Sequence, residues 1–266
     1  MLRFAVALAA IVVASGLLST AAFADEGALD PAPPKGITTD EIIRRFAAKE
    51  TDFQQARDQY TYRQDVKVQT PEDDGEYHEI FDVLFDDQGK RLENVVYAPQ
   101  SSLARIQMSP EDLDDIRHRL PFVLTAQEVP EYQILYVGQQ QEDELHCYVF
   151  DIAPKEIVGR KRYFQGRIWV DDRDFQIVKT YGKGVGLMKK GADNQYPRFE
   201  TYREQIDGKY WFPTYTRADD TLHFKDMNQR LRMTVKYEDY KQFKSNATVT
   251  FGEEVKDPNQ KEPEKK

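Results

Sequence analysis

Apolar and polar residues alternate along much of this chain, and that pattern predicts β-strands. Between positions 60 and 69, tyrosine or valine at 60, 62, 66 and 68 alternates with polar residues. A period of two indicates a strand with one face in the core and the other in water. The same pattern between turn residues predicts about ten strands, over residues 60–69, 77–85, 91–97, 132–138, 145–152, 161–171, 175–181, 198–206, 210–218 and 231–243.

Helical periodicity is confined to two amphipathic segments. Thr38 is the expected N-cap of the first, with Glu41 completing a capping box, and this helix is predicted to end near Arg57. Ser109 is the expected N-cap of the second helix, and Pro121 stops it. The apolar stripe of each helix predicts packing against the sheet.

The connections between most predicted strands are short, which favours an antiparallel sheet. Two tight hairpin turns are predicted at 171–174 and at Asp207-Gly208. The sequence shows no helix–strand alternation of the doubly wound kind, no internal repeat and no central linker. It therefore predicts a mainly β (α+β) chain with a single domain over residues 38–254.

Both ends of the chain lie outside this predicted domain. Residues 1–24 have the form of a cleaved signal peptide, with Arg3 before an apolar run and the small-x-small triplet Ala22-Phe23-Ala24. Residues 25–37 hold three prolines and are predicted to be a flexible N-terminal tether, and residues 255–266 to be a disordered charged tail. Because no cysteine stands near the cleavage point, no lipid anchor is expected. We therefore expect a periplasmic or secreted protein that does not span the membrane.

Charge and cysteine content narrow the class of partner. The formal net charge is −9, and it becomes more negative when Arg3 leaves with the signal peptide. No nucleic-acid partner is expected at this charge, because such binding depends on neutralising phosphates. Cys147 is the only cysteine, so no intrachain disulfide can form and the core must supply the stability.

No motif marks an enzyme, a metal site or a cofactor site, and none is predicted. The four histidines lack metal-ligand spacing. His146-Cys147 is either a thiol with its base or a buried cysteine beside a surface histidine, and the second is favoured because free cysteines usually pack in cores. The aspartates at 171, 172 and 174 are either calcium ligands or a polar hairpin; the hairpin is favoured because a calcium loop needs more oxygen ligands. A carboxylate pair of a secreted hydrolase stays a remote alternative.

The apolar strand faces are compatible with two kinds of interior, a filled core or a ligand cavity. A curved sheet of about ten strands encloses more space than its side chains fill, as in barrels that hold ligands. The two helices are the expected covers of the open side. The candidate cavity lining taken from the alternation is Tyr62, Val66, Phe81, Val83, Phe85, Ile168, Val170 and Ile177.

Two hairpins resemble those of a known superfamily. The first is Gly166-Arg167-Ile168-Trp169-Val170-Asp171 followed by Phe175-Gln176-Ile177-Val178, and the second contains Gly208-Lys209-Tyr210-Trp211-Phe212-Pro213. They resemble the hairpins of the LolA/LolB-like outer-membrane lipoprotein-sorting (lipoprotein carrier) proteins. The order of signal peptide, amphipathic helix and meander is similar as well. The chain differs by extra sequence around Ala98 to Pro130 and by lacking carrier-specific motifs, so it resembles a divergent member.

The resemblance implies an unclosed, strongly curved antiparallel β-barrel with amphipathic helices over its open side. It implies a periplasmic, non-enzymatic protein that binds lipid, an acyl chain or a lipoprotein on the concave face, with lipoprotein sorting at the outer membrane as the expected setting. The alternative is a protein-interaction or envelope-stress-sensing domain of the same fold without lipid cargo. The expected partners are acyl chains or an envelope protein, and the expected state is a monomer.

Overall fold

One antiparallel sheet of ten strands dominates the computed structural model, which describes residues 26–86, 88–187 and 195–243. The strands are β1 (Tyr60–Thr70), β2 (Gly75–Phe85), β3 (Arg91–Tyr97), β4 (Tyr132–Glu142), β5 (Leu145–Pro154), β6 (Tyr163–Asp171), β7 (Ile177–Val185), β8 (Phe199–Gln205), β9 (Trp211–His223) and β10 (Asn228–Gln242). Each of them corresponds to one strand that the alternation predicts.

The strand order across the sheet is β3-β2-β1-β10-β9-β8-β7-β6-β5-β4. Neighbours in sequence are neighbours in the sheet, except where β1 pairs with β10 and Val66 stands opposite Val235. Because β3 and β4 form the two edges and do not pair with each other, the curved sheet stays unclosed. The predicted fold class, an unclosed antiparallel half-barrel with few helices, is confirmed.

Helix α1 (Thr39–Arg57) crosses the concave face of the sheet. Phe46 packs on Phe150 of β5 with ring centroids 5.6 Å apart, and Phe53 packs on Phe212 of β9 at 5.2 Å. These contacts bury the apolar stripe that the sequence predicts, and they fill the middle of the concave side. The interior there is a packed core.

A buried ion pair fixes α1 on the sheet. Glu50 lies on α1, wholly buried, and its Oε1 accepts a hydrogen bond from Nη1 of Arg203 on β8 at 3.0 Å. The backbone N–H of Ile177 donates to the same oxygen at 3.3 Å, and Arg203 also donates to the carbonyl of Phe122. Removing either charge would leave the other buried and unpaired, which is strongly destabilising.

Of the two capping contacts predicted at the start of α1, the structure contains one. The Thr38 hydroxyl accepts a hydrogen bond from the backbone N–H of Glu41 at 3.2 Å, as predicted. The Glu41 carboxylate, however, pairs with Arg44 and Arg45 one turn later. These arginines attract the carboxylate away from the N-cap. None of the described helices is long and apolar enough to cross a membrane.

The second helix is shorter and less regular than its pattern predicts. Helix α2 (Pro110–Asp114) begins at Ser109 with a complete capping box to Asp112, and it continues as a π-helical turn (Asp115–Arg119). Such turns are rare and occur often at functional sites. We call residues 110–119 the lid helix, because they lie over one end of the concave face.

The predicted tether is held on the sheet over part of its length. The N–H of Gly27 donates to the carbonyl of Gln141 at 2.9 Å, and the N–H of Asp30 donates to that of Gln139 at 2.8 Å. The segment lies here because the edge of β4 offers backbone groups that no strand pairs. The predicted signal peptide, the charged tail and the end of the predicted domain at 254 lie outside the described residues.

Candidate ligand-binding cavity

A cavity of about 420 Å³ opens between the concave face and the lid helix. Its floor comes from strands β1, β8, β9 and β10, and its roof from the lid helix and the segment before it. The apolar side chains that line it are Val68, Ile106, Met108, Ile116, Leu120, Tyr196, Pro197, Phe199, Leu222, Phe224, Met227, Leu231 and Met233. The roof belongs to the 98–130 stretch by which the sequence departs from the carrier pattern.

Methionine is concentrated around this cavity. Met108, Met227 and Met233 line it, from a chain with five methionines. A methionine side chain is unbranched, flexible and polarisable, so it adapts to apolar partners of different shape. The cavity wall is therefore deformable in a way that a wall of leucine and valine would not be.

The polar lining falls into an exposed set and a buried set. Arg105 and Asp226 are exposed members of the lining. Asp112 and Asp115 lie on the lid helix, and burial raises the pKa of both carboxyls. Asp112 accepts hydrogen bonds from the backbone N–H and hydroxyl of Ser109 at 2.8 and 2.6 Å, so its carboxylate serves the helix cap.

One side of the lid helix is tied to the residue before β6. Nε of Arg162 donates to Oδ1 of Asp115 at 2.7 Å, and both side chains are more than nine-tenths buried. The Arg162 guanidinium lies 3.9 Å from the ring centroid of Tyr196, another residue of the cavity wall. Gly184 on β7 makes room for the pair, because a Cβ there would collide with the Asp115 carboxylate and lie 2.7 Å from Nη2 of Arg162.

The other side of the lid helix is tied to the edge strand β3. Nε and Nη2 of Arg117 donate to the two carboxylate oxygens of Glu93 at 2.9 Å each. Arg91 donates to the same carboxylate at 2.8 Å. Burial alone would raise the pKa of Glu93, but the hydrogen bonds from Arg117 and Arg91 hold it below its usual value. The roof of the cavity is therefore attached on its two sides by two ion pairs.

The eight residues predicted to line a cavity lie instead in the packed core. All of them are buried, and all belong to the largest apolar cluster, together with residues of α1. The alternation predicts their common face correctly, but the two helices fill the space in front of them, with Leu113 and Ile116 of the lid helix beside Val66 and Phe81. None of the eight lines the 420 Å³ cavity. These eight core residues are Tyr62, Val66, Phe81, Val83, Phe85, Ile168, Val170 and Ile177.

The convex face carries a buried lysine in a closed charge network. Nζ of Lys179 lies 3.0 Å from Glu142 and 3.1 Å from Glu200, and it also pairs with Glu26. Burial alone would lower the pKa of Lys179, but the hydrogen bonds that it donates to Glu26 and Glu142 raise it. Trp169 covers it at 4.6 Å. A wider and more polar depression of about 810 Å³ surrounds this network, whose lysine holds the tether on the sheet.

Cys147 and Asp171, considered above as a nucleophile and a calcium ligand, both have structural roles. Cys147 is buried, and burial raises the pKa of its thiol, which disfavours the thiolate nucleophile. Asp171 accepts hydrogen bonds from the backbone N–H groups of Arg173 and Asp174 at 3.1 and 3.0 Å, so it closes the hairpin. Across the described ranges, no group of three or more His, Cys, Asp or Glu side chains is placed to hold a metal ion.

No protein-family model and no curated protein matches this chain. Among solved structures, a DUF1329 family protein from Desulfovibrio piger is similar at 14% identity and a TM-score of 0.39, over 75% of this chain and 94% of that one. An outer membrane lipoprotein-sorting protein domain from Vibrio parahaemolyticus is similar at 12% identity and a TM-score of 0.36, over 78% and 95%. The Pseudomonas aeruginosa MucA/MucB complex is similar at 10% identity and a TM-score of 0.22, over 71% and 94%. A lipoprotein-sorting domain, the kind of protein that the two hairpin motifs resemble, is thus among the structures to which this chain is similar.

Proposed function

We propose that this chain is a non-enzymatic binding protein of the periplasm that holds an acyl chain of a lipid or lipoprotein in the cavity under the lid helix. The observation that supports this most directly is the cavity itself, which is apolar inside, about 420 Å³ in volume and open to solvent at a polar rim. Pockets of about 300–1,000 Å³ with mostly apolar walls are typical of small-molecule sites.

Binding in such a site is driven by burial. Each methylene group removed from water contributes about 0.8 kcal/mol, so a chain that fills the cavity gains enough to offset the cost of association. The two carboxylates of the lid helix that line the cavity, those of Asp112 and Asp115, are engaged by Ser109 and Arg162. They are therefore positioned to hold the roof in place.

Native mass spectrometry of the protein from its own envelope fraction, before and after organic extraction, tests the proposal. An extractable mass in the range of a lipid supports it. A fluorescent acyl probe should bind the extracted protein and should fail to bind a Leu222→Trp variant, because Leu222 points into the cavity. Thr221→Trp is the matched control, since Thr221 is the exposed neighbour on the same strand. A bare protein with no response to the probe contradicts the proposal.

A second candidate, a domain that binds an envelope protein, is favoured by the edge strand β3. Val95, Val96 and Tyr97 are 56%, 48% and 48% exposed there, on a strand whose outer backbone groups pair with no other strand of the described residues. Free edges of this kind accept an extended segment of another protein. This candidate predicts that one envelope protein co-purifies with the chain and that the chain carries no lipid. The Val96→Lys variant should lose that partner, and this result would support the second candidate over the first.

A further inference from the structure

The tether occupies only part of the free edge of β4. Asp30 and Gln139 exchange two backbone hydrogen bonds of 2.8 Å, and an antiparallel bridge joins Glu26 to Glu142. Pro31 comes next in the chain, and a proline has no N–H to donate to a neighbouring strand. Beyond this point, the outer backbone groups of β4 over residues 132–137 pair with no strand of the described residues.

A glycine on β4 leaves room for a segment to pass along this edge. Gly138 has a φ of +149°, and a Cβ there would collide with the carbonyl oxygen of Asp30 and lie 3.1 Å from Cα of Pro31. Only glycine adopts such a backbone conformation readily and allows so close an approach. The sheet therefore carries a notch that fits a passing main chain.

Two side chains of β4 contact the backbone of the tether. Nε2 of Gln140 donates to the carbonyl of Gly27 at 2.8 Å, and Nε1 of Trp169 donates to Oε1 of the same glutamine at 2.8 Å and so fixes its orientation. The hydroxyl of Tyr136 donates to the carbonyl of Ala32 at 3.1 Å. Because both contacts are made to main-chain carbonyls, any extended segment can receive them.

A further contact selects an acidic residue. Nζ of Lys179 pairs with the Glu26 carboxylate, and the side chain of Lys179 is 3% exposed whereas that of Glu26 is 50% exposed. The lysine has two other carboxylate partners on the sheet, which hold it in place when Glu26 leaves. The residue after the acid must be small, because a Cβ on Gly27 would lie only 3.0 Å from Cβ of Gln141.

We propose that the edge of β4 is a peptide-binding site that accepts, from another protein, an extended segment with an acidic residue followed by a small one. The tether fills this site from within the same chain and lowers its apparent affinity, because only molecules with the tether released can bind. A segment without prolines would continue to pair along residues 132–137, and these additional main-chain hydrogen bonds favour it over the tether. The site is separate from the cavity, so the inference goes beyond the proposed function.

Fluorescence anisotropy with labelled, N-terminally acetylated peptides and the full chain tests the inference. The first peptide copies residues 26–34, and the second carries Thr-Val-Thr-Lys in place of the last four residues. The second should bind the wild type about tenfold more tightly, the gain expected of one or two additional hydrogen bonds. A third peptide, with lysine in place of the glutamate of the first, should bind poorly because it brings a positive charge against Lys179.

Matched valine variants separate release of the tether from other effects. Gly27→Val should undock the tether and raise the affinity for the first peptide about tenfold, because a larger fraction of the sites is free. Ala28→Val is the control, since Ala28 is exposed and its replacement should leave the affinity unchanged. Adding Tyr136→Phe to Gly27→Val keeps the ring that packs on Phe150 and should weaken binding about fivefold through loss of one hydrogen bond.

Hydrogen exchange locates the bound peptide, because the backbone N–H of Gln139 donates to the tether at Asp30. In the Gly27→Val variant, the first peptide should slow exchange at this N–H. The inference is overturned if neither the first nor the second peptide binds that variant, if binding leaves this exchange rate unchanged, or if the lysine peptide binds equally well.

Light scattering of the wild type tests the other source of such a segment. The chain should stay monomeric, whereas a dimer that the second peptide dissociates would identify a second copy of this chain as the occupant and overturn the choice of another protein. An acyl probe that binds the wild type and the Gly27→Val variant alike leaves the proposed function intact, whichever result the peptides give.

Discussion

Arg162 holds Asp115 by a hydrogen bond of 2.7 Å from Nε to Oδ1, under the ring of Tyr196. The two residues are 47 positions apart in sequence. One stands at the turn where the lid helix becomes π-helical, and the other directly precedes β6. The pair therefore decides how firmly the roof of the cavity is attached to the sheet.

Replacing Asp115 by Asn should loosen the lid helix. The change leaves the buried Arg162 without its counter-charge, which we expect to cost about 3 kcal/mol in the free energy of unfolding. A bound acyl probe should also dissociate faster, because the roof is held on one side only. Urea unfolding and stopped-flow release of the probe measure the two effects. Asp114→Asn is the control, since Asp114 pairs with the half-exposed His118; equal probe release from both variants would contradict a role for the Asp115 pair.

Gly184→Ala should disturb the same pair from the side of the sheet. The added methyl group would collide with the Asp115 carboxylate, and overpacking of this kind costs about 1–3 kcal/mol. Gly186→Ala is the matched control, because the nearest described atom to a Cβ there is Nη1 of Arg162 at 3.4 Å. Thermal unfolding and probe release should therefore change in the first variant and stay close to the wild type in the second. Unchanged release in Gly184→Ala would show that the pair can shift without loosening the roof.

The Glu93 pairing predicts a pH dependence of stability. The folded pKa of Glu93 is lowered from the usual 4.5 by its arginine partners, so the folded state binds the proton less tightly than the unfolded state. The stabilisation is complete above about pH 4.5 and is lost as the pH falls through the lowered folded pKa. Glu93→Gln should cost about 1 kcal/mol at neutral pH, and its difference from the wild type should shrink as the solution is acidified. Urea titrations at a series of pH values measure this difference, and a constant difference down to strongly acidic pH would contradict the prediction.

Replacing Met108, Met227 and Met233 together by leucine should narrow the range of chains that the cavity accepts. Leucine has a similar volume, so each change should cost less than about 1.5 kcal/mol in stability. Its branched side chain adapts less well, and the variant should discriminate between palmitate and the kinked oleate where the wild type binds both. Probe displacement by the two fatty acids measures the ratio. Met227→Leu alone, at the partly exposed rim, is the control and should leave the ratio unchanged. An unchanged ratio in the triple variant would contradict the idea that flexible methionines let the cavity accept chains of different shape.

Local patterns predict the elements of this fold well, because strand alternation and helix caps depend on residues close in sequence. Differences arise where a distant residue decides the conformation. The strand predicted over 175–181 ends before Gly182, but β7 continues to Val185, since Gly184 packs against Asp115 and Arg162. The second helix ends in a π-helical turn, where distant partners hold Asp115 and Arg117.

The cavity could not be predicted in the same way. Alternation reports which face a residue occupies, and the core positions of Val66 and Ile168 follow from it. It does not report how much of that face a helix covers. The cavity walls come from several separate segments, and two of its contributors, Met108 and Phe224, lie in stretches with no regular period. Their joint position depends on the pairing of β1 with β10.

That pairing also has a consequence for the order of folding. Tyr60 stands opposite Gln242, so the inner edge of the β1–β3 meander gains its neighbour only when the final described strand is present. Contacts between residues so far apart in sequence carry a large loop-closure entropy and slow the search for the native topology. The meander that is synthesised first is therefore completed last, and a chain shortened within β10 would leave two separate sheets, each with one more open edge.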